Sequence, residues 1–381
     1  MQKKKIKVLF RLRSMEMGGV QKVILDLLNN LSKDKFEFTL LLNLYQGELR
    51  NDIPKNVKLL YLTKGKEDFS KNPLLKKIQL AFRLLKLYLY KKFPSFQLKE
   101  KYDIEVASSY SEYDMTLNSS NKNSKKIAWF HSEVTYERLR SKSWEYIKKM
   151  KKFDYVVFCA NQIRNLIEEK YGITFSNSSV IYNAVHVDEI KKKAEEYNVD
   201  YGKLKKPIFC SIGRLHSRKG YEILVNVHAR LINENYIHSI VIVGDGEEMD
   251  RLKKQVIALK VEKTFKLLGT KLNPYPYLKA ADYFVLPTKS EAYPLVINEA
   301  LALEKPIIST RVGGIPEMID NNFNGLLVNC NEEEIYQGMK KFIQNSKFVD
   351  DIKRNLEKPE EKFNPDSIYQ EVEELLLQLL N

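Results

Sequence analysis

Ser290-Glu-Ala-Tyr-Pro-Leu-Val-Ile-Asn-Glu299, then Pro306-Ile-Ile-Ser-Thr-Arg-Val-Gly-Gly-Ile-Pro-Glu317 and Asn324-Gly-Leu-Leu-Val328, carries the reading of the whole chain. Two glutamates eight residues apart bracket a proline suited to the first turn of a helix. That places Glu299 about one and a half turns into the helix and Glu291 in the loop before it. Across Ala292, Tyr293, Pro294, Leu295 and Val296, the backbone N–H groups not spent inside the helix offer a seat for anionic oxygens. Two carboxylates beside such a seat suit hydroxyl recognition, since each charge-assisted hydrogen bond is worth about 1.5–3 kcal/mol. A lone pair of glutamates reads more simply as a helix-start acid and a solvated one. The strand and Gly-Gly turn that follow make the combination more specific.

Outward from this stretch, short apolar runs at 208–212, 239–243, 265–267, 283–286 and 307–310 each precede a turn or a helical pattern. The first half has the same rhythm. A β-branched run at 6–10 leads into Ser14-Met-Glu-Met-Gly-Gly19, a helical pattern from Val20 and a second strand at 36–42, which is a βαβ unit opening a parallel sheet. Further strands are expected at 104–107, 126–129, 155–159 and 180–182. The charged segment 183–206 shows no strand and reads as a connector, and the periodic stretch from Ile368 as a C-terminal helix. Two doubly wound α/β domains in tandem account for the chain. The expected division is 1–185, 186–358 and a closing segment 359–381 whose helix packs back toward the first domain.

A length of 381 residues agrees with two or three domains, and 44% apolar content excludes wholesale disorder. The net charge of +14 is unevenly spread: residues 1–152 hold 33 basic and 16 acidic side chains, the rest 30 and 33. Three scattered cysteines, Cys159, Cys210 and Cys330, make neither a disulfide framework nor a zinc spacing and point to a reducing compartment. No segment reaches the roughly 18–20 apolar residues of a spanning helix, and the apolar start, ending at Arg11, is too short for a signal peptide.

With these residues in view, the sequence resembles the retaining family 4 glycosyltransferases of GT-B architecture, the glycosyl transferases group 1 used in cell-surface polysaccharide assembly. The resemblance rests on Glu291…Glu299, the Gly313-Gly314 turn, Asn324-Gly-Leu-Leu-Val, Ser211-Ile-Gly-Arg-Leu-His-Ser-Arg-Lys-Gly220, Val243-Gly-Asp-Gly-Glu-Glu248, Ala281-Asp282 and Met17-Gly-Gly-Val20. It spans nearly the whole chain and is thinner from about residue 45 to 125. It implies two Rossmann-like domains facing each other across a cleft, the first on the acceptor side and the second binding a nucleotide-sugar. By the same resemblance Arg214 and Lys219 bind the donor diphosphate, Glu299 the ribose hydroxyls and Glu291 the donor sugar. Gly18 and Gly19 lie against the diphosphate, Gly244 lines the nucleotide side and Leu268 meets the base. His131, ending Ile127-Ala-Trp-Phe-His, faces the donor sugar near the reacting carbon; on its own it would read as a satisfied core histidine. The family pattern commonly has glycine where Ala184 and Ala292 stand; the second departure, in the amide nest beside the sugar, bears on the identity of the donor.

No Asp-x-Asp or His-Glu metal signature appears, so neither a metal nor another cofactor is expected. On a helix at 74–92, Lys76, Gln79, Arg83, Lys86 and Tyr90 share one side, while Leu75, Ile78, Phe82, Leu85 and Leu89 share another. With Lys91-Lys92 this reads equally as a face for anionic lipid or as a domain helix with a solvated basic face. The expected function is hexosyl transfer from a UDP- or GDP-linked sugar to an acceptor hydroxyl, on a lipid-linked or cell-surface glycan, with retention. The expected location is cytoplasmic, peripheral at the inner face of the plasma membrane. The competing reading, raised by the charge, is a nucleic-acid- or membrane-surface-binding protein without transferase activity; no nucleic-acid motif supports it.

Overall fold

The computed structural model describes residues 4–93, 98, 100–133, 141–356 and 364–380. The chain forms two compact units, Met1–Ala184 with Pro365–Asn381 as unit 1, and Val185–Asn364 as unit 2.

In unit 1, β1 (Ile6–Leu12), β2 (Phe36–Tyr45), β3 (Lys58–Lys64), β4 (Ile104–Ala107), β5 (Lys125–Phe130), β6 (Tyr155–Phe158) and β7 (Ser178–Val180) form one sheet in the order β3-β2-β1-β4-β5-β6-β7. All pairings are parallel. The central strands are apolar runs because helices cover both faces of such a sheet: Val8, Leu9, Phe10, Ile104 and Val106 are fully buried. One ion pair crosses this core. Arg11 donates to Glu105 at 2.8 Å, and Ser119 and Ser124 donate to the other carboxylate oxygen at 2.7 and 2.9 Å. The closing helix Pro365–Gln378 buries Ile368, Val372, Leu375 and Leu376. It is tied to unit 1 by Tyr369 donating to Asp26 at 2.7 Å and by Glu373 accepting from the Ser32 amide at 2.7 Å.

The helix Pro73–Lys92 occupies the stretch for which the sequence left two readings open. Arg83 is buried, Lys86, Leu87 and Tyr90 are half-buried, and Leu75, Ile78, Phe82, Leu85 and Leu89 are exposed. In the second half of the helix the side carrying Arg83 and Tyr90 is therefore the packed side, while Lys76 and Gln79 on that same side are exposed in the first half. Residue 91 lies outside the described side chains.

In unit 2, β8 (Ile208–Ile212), β9 (Ser239–Val243), β10 (Phe265–Leu267), β11 (Tyr283–Leu286), β12 (Ile307–Thr310) and β13 (Gly325–Val328) run parallel in the order β10-β9-β8-β11-β12-β13. The segment expected as a plain connector contains the helix Val187–Ala194. It packs against the helices Tyr275–Ala280 and Leu295–Ala302. Only Ile190 and Ala194 are buried, too few for a visible helical period.

Two histidines without a chemical role in the sequence form part of this core. His228 and His238 share a 2.8 Å hydrogen bond; the other ring nitrogen of His228 meets Thr264 at 2.9 Å, and that of His238 the Tyr236 carbonyl at 2.8 Å. Burial lowers both pKa values, that of His238 to about 4. The unfolded chain then binds more protons than the folded one below about pH 6.5, so stability present at neutral pH is lost as pH falls from there toward 4, at up to about 1.4 kcal/mol per pH unit for each imidazole. Chemical denaturation from pH 7 to 5 is expected to show this slope in the wild type and a flatter one in His228→Gln/His238→Gln. Equal slopes would show that other groups control the acid response.

Candidate active site

In an open parallel sheet, ligands bind beyond the carboxyl ends of the strands where the strand order reverses. In unit 2 the reversal lies between β8 and β11. The loops leaving these two strands bring Lys219 and Glu291 together across 72 positions of sequence, Nζ donating to Oε1 at 2.5 Å. Both are buried, Lys219 at 7% and Glu291 at 5% exposure. Arg218 lies 3.5 Å from the other oxygen, and Thr288 donates to Oε1 at 3.3 Å. Burial alone would raise the pKa of Glu291; the charges of Lys219 and Arg218 and the hydrogen bonds from Lys219 and Thr288 outweigh it and hold the carboxyl below its ordinary range. Glu291 is thus an ionised, buried carboxylate that pins a buried ammonium. An ammonium has three donors, so Lys219 keeps further hydrogen-bonding capacity beyond Glu291.

Two glycines make this approach possible. Gly220 has φ +70°, and a Cβ there would lie 2.0 Å from the Pro287 carbonyl oxygen. Gly313 has φ +54°, and a Cβ would lie 1.5 Å from the Glu291 carbonyl oxygen. The next amide, of Gly314, donates to the Ala292 carbonyl at 2.9 Å. The Gly-Gly turn therefore braces the loop that carries Glu291.

The helix opens at Leu295 with Pro294 as its N-cap, one residue later than expected from proline at the first helical position. Ala292 and Tyr293 are buried, while Leu295 and Val296 are half-buried. Glu299, in the second turn, is 5% exposed and accepts from the Tyr275 hydroxyl at 3.1 Å. Next to it Asn298 is 3% exposed, and neither of its amide atoms has a hydrogen-bond partner among the described residues. Sequence reasoning missed Asn298, because its residue type and spacing do not separate it from the helix around it.

Arg214 stands apart from the Lys219–Glu291 pair. Its side chain is 73% exposed and 3.5 Å from Glu247. Arg218 is the second cation on Glu291, brought there by the tight turn Ser217–Lys219. His216 caps that turn, its Nδ1 accepting from the Arg218 amide at 3.1 Å. Gly244 is required by backbone packing: at φ +148° its Cβ would lie 2.0 Å from the Gly213 carbonyl oxygen, and its amide donates to Gly269 at 2.9 Å. The Leu268 amide donates to the Ile242 carbonyl at 2.9 Å.

Unit 1 holds the remaining candidates. Gly19 opens the helix Gly19–Asn30, with Gly18 as an extended N-cap. A Cβ on Gly18 would come within 2.6 Å only of the movable Gln21 amide oxygen, so packing within unit 1 does not demand a glycine there. His131 follows β5, its ring stacked on Trp129 with centroids 5.8 Å apart. Burial lowers its pKa to about 4, leaving the imidazole neutral at pH 7. Its Nε2 has no partner among the described residues, and neither do Trp129 Nε1 and Ser108 Oγ. Those last two were not apparent in the sequence. Among the described residues no group of three His, Cys, Asp or Glu side chains could hold a metal ion. No described helix is long and apolar enough to cross a membrane.

Two all-parallel, doubly wound sheets in one chain are the components of the GT-B architecture. Solved structures share this fold: the Anabaena protein HepE, crystallised with UDP-glucose, superposes with a TM-score of 0.75 at 19% identity over 98% of this chain and 100% of its own. The chain belongs to the family 4 glycosyltransferases: residues 17–189 match the model described as glycosyltransferase family 4, and residues 193–358 that of glycosyl transferases group 1. It is similar to an uncharacterized glycosyltransferase of Methanocaldococcus jannaschii, 25% identical over 73% of this chain and 70% of the relative. A second relative is a Campylobacter jejuni N-acetylgalactosaminyltransferase named for a diphospho-undecaprenol acceptor. It is 30% identical over 47% of this chain and spans 48% of its own length.

Proposed function

We propose that this glycosyltransferase moves a hexose-type sugar from a UDP- or GDP-linked donor to a hydroxyl of a lipid-linked or cell-surface glycan, with retention at the anomeric carbon. The observation that carries this reading is the buried Lys219–Glu291 pair at the switch point of unit 2. Lys219 faces the diphosphate and stabilises its growing charge as the bond from the anomeric carbon to the phosphate oxygen breaks. Glu291 holds the ammonium in place and accepts from a donor-sugar hydroxyl, and Glu299 accepts from the ribose hydroxyls. The Ala292–Val296 segment supplies amides to the sugar side. The new bond forms on the same face, and the acceptor proton passes to the departing phosphate oxygen. No protein nucleophile is invoked, and the acceleration comes from positioning and charge stabilisation. Arg214 reaches the diphosphate by leaving Glu247. In unit 1, Gly18 and Gly19 leave room at a helix start for the diphosphate, and His131 presents a neutral imidazole to the sugar.

A divalent ion is not required on this reading, so a chelator is expected to leave turnover unchanged. The relative named for a diphospho-undecaprenol acceptor supports a lipid-linked acceptor, and with it peripheral contact with an anionic membrane at its cytoplasmic face. The test is thermal stabilisation by UDP, GDP, ADP and their sugars in wild type, Glu299→Ala and Arg214→Ala. A ligand at a hundredfold excess over Kd adds about 2.7 kcal/mol. A shift with one nucleotide that both substitutions weaken is expected. No shift with any of them at millimolar concentration would overturn the donor assignment.

A further inference from the structure

The helix Pro73–Lys92 presents its apolar side to solvent. Leu75, Ile78, Phe82, Leu85 and Leu89 fall within an arc of about 80° at 3.6 residues per turn, and their exposures run from 44% for Leu89 to 67% for Phe82. Every residue from 73 to 82 is exposed, so the first half of the helix overhangs the unit. The packed side explains the orientation. The Arg83 guanidinium is nine-tenths buried, lies 5.2 Å from the centre of the Phe69 ring and is 3.5 Å from the Gln46 side-chain oxygen. Gln46 in turn donates to Glu16 at 3.1 Å, just before the Gly18-Gly19 turn. Leu87 and Tyr90 pack on the core of Leu9, Leu41 and Leu62. With Arg83, Leu87 and Tyr90 turned inward, the apolar arc has no partner within the described residues, and soluble monomers rarely leave so continuous a patch uncovered.

We propose that this arc inserts into the surface of an anionic bilayer, apolar side down, and so holds unit 1 against the membrane that carries the acceptor. The charge pattern selects the occupant. From residue 70 to 98 there are seven cations and no acid. With Arg83 turned inward, the exposed Lys71, Lys76, Lys77 and Lys92 complement lipid phosphates and disfavour a second copy, which would bring the same lysines face to face. Insertion differs from a basic face resting on lipid: burial of leucine and phenylalanine survives salt, whereas lysine–phosphate attraction is screened. The inference rests on the lipid-linked acceptor reading and deepens it.

Vesicle flotation tests the proposal, with phosphatidylglycerol–phosphatidylcholine and pure phosphatidylcholine vesicles at 0.1 and 0.5 M salt. Both changed residues of Phe82→Glu/Leu85→Glu are exposed, so the variant is expected to fold and to keep the nucleotide-induced thermal shift. The wild type should bind anionic vesicles at both salt concentrations, and this variant should bind at least tenfold less at both. Lys76→Ala/Lys77→Ala should lose binding mainly at 0.1 M. No vesicle binding by a wild type that still responds to nucleotide would overturn the proposal and leave the donor reading intact. So would binding that the glutamate pair leaves unchanged, or a dimer in solution that the pair disrupts while vesicles are ignored. Vesicle binding that the glutamate pair abolishes, in a protein that no nucleotide stabilises, would support the docking surface and overturn the donor reading instead.

Discussion

Glu291→Gln is expected to lower sugar transfer at least a hundredfold and to destabilise unit 2, and Lys219→Met to do much the same. Glu291→Gln leaves the buried Lys219 ammonium without its partner, and Lys219→Met leaves the buried carboxylate only the half-exposed Arg218 at 3.5 Å; breaking a buried pair costs about 3–5 kcal/mol. On the proposed role of Lys219, the catalytic loss follows because an ammonium no longer pinned at 2.5 Å is displaced from the phosphate charge it would stabilise. One preorganised charge-stabilising group is typically worth about 10²–10³ in rate. The double variant Glu291→Gln/Lys219→Met separates the two effects. It should unfold later than either single variant, because no buried charge is orphaned, and it should stay inactive. A double variant whose stability loss is the sum of the singles would show that the pair is not coupled. The pair resists acid well: the carboxyl is held below its usual value of 4.5, so its contribution is complete at neutral pH and is lost only as pH falls through that depressed value.

The second large effect is expected from a methyl group. Gly313→Ala places a Cβ 1.5 Å from the Glu291 carbonyl oxygen, at a φ of +54° that alanine rarely adopts. The listener to this strain is the loop that carries Glu291, since it cannot stay where it is. A loss of about 2–4 kcal/mol is expected, or roughly 5–12 °C in Tm for a unit of this size, with transfer falling as steeply as in Glu291→Gln. Gly18→Ala is the contrasting control. Its Cβ would meet only a movable glutamine side chain, so stability should barely change; a loss of transfer would then support the diphosphate position proposed for that turn. A Gly313→Ala protein with wild-type Tm and turnover would refute the bracing role of the Gly-Gly turn.

Most of the central strands were legible because a parallel sheet buried on both faces leaves unbroken apolar runs, and β4 and β8 to β12 fall where those runs do. Edge strands were less regular: β10 lies at 265–267 as expected, β7 begins two residues before the expected 180–182, and β3 was not read as a strand. β3 is bounded by Lys58 and Lys64, and β7 begins Ser178-Ser179, since an edge has one flank open to water and tolerates polar residues. At the site, Glu291, Glu299 and Lys219 stood out by type and spacing. Arg218 did not, because only the tight turn Ser217–Lys219 decides which of the neighbouring cations faces Glu291.

What the amino-acid sequence determined by itself was the local and periodic part: two α/β halves, the strand–turn–helix rhythm, the glutamate pair and the glycines. Tertiary structure alone decided which charges meet and which faces are covered. Lys219 reaches Glu291 only because β8 and β11 are neighbours at the point where the strand order reverses. The helix Pro73–Lys92 turns Arg83 and Leu87 inward and Leu75, Leu85 and Leu89 outward because Phe69, Gln46 and the core beside β1 to β3 accept that side of it. A helical wheel shows that a helix has two faces. Which one is buried depends on the partners the rest of the fold supplies.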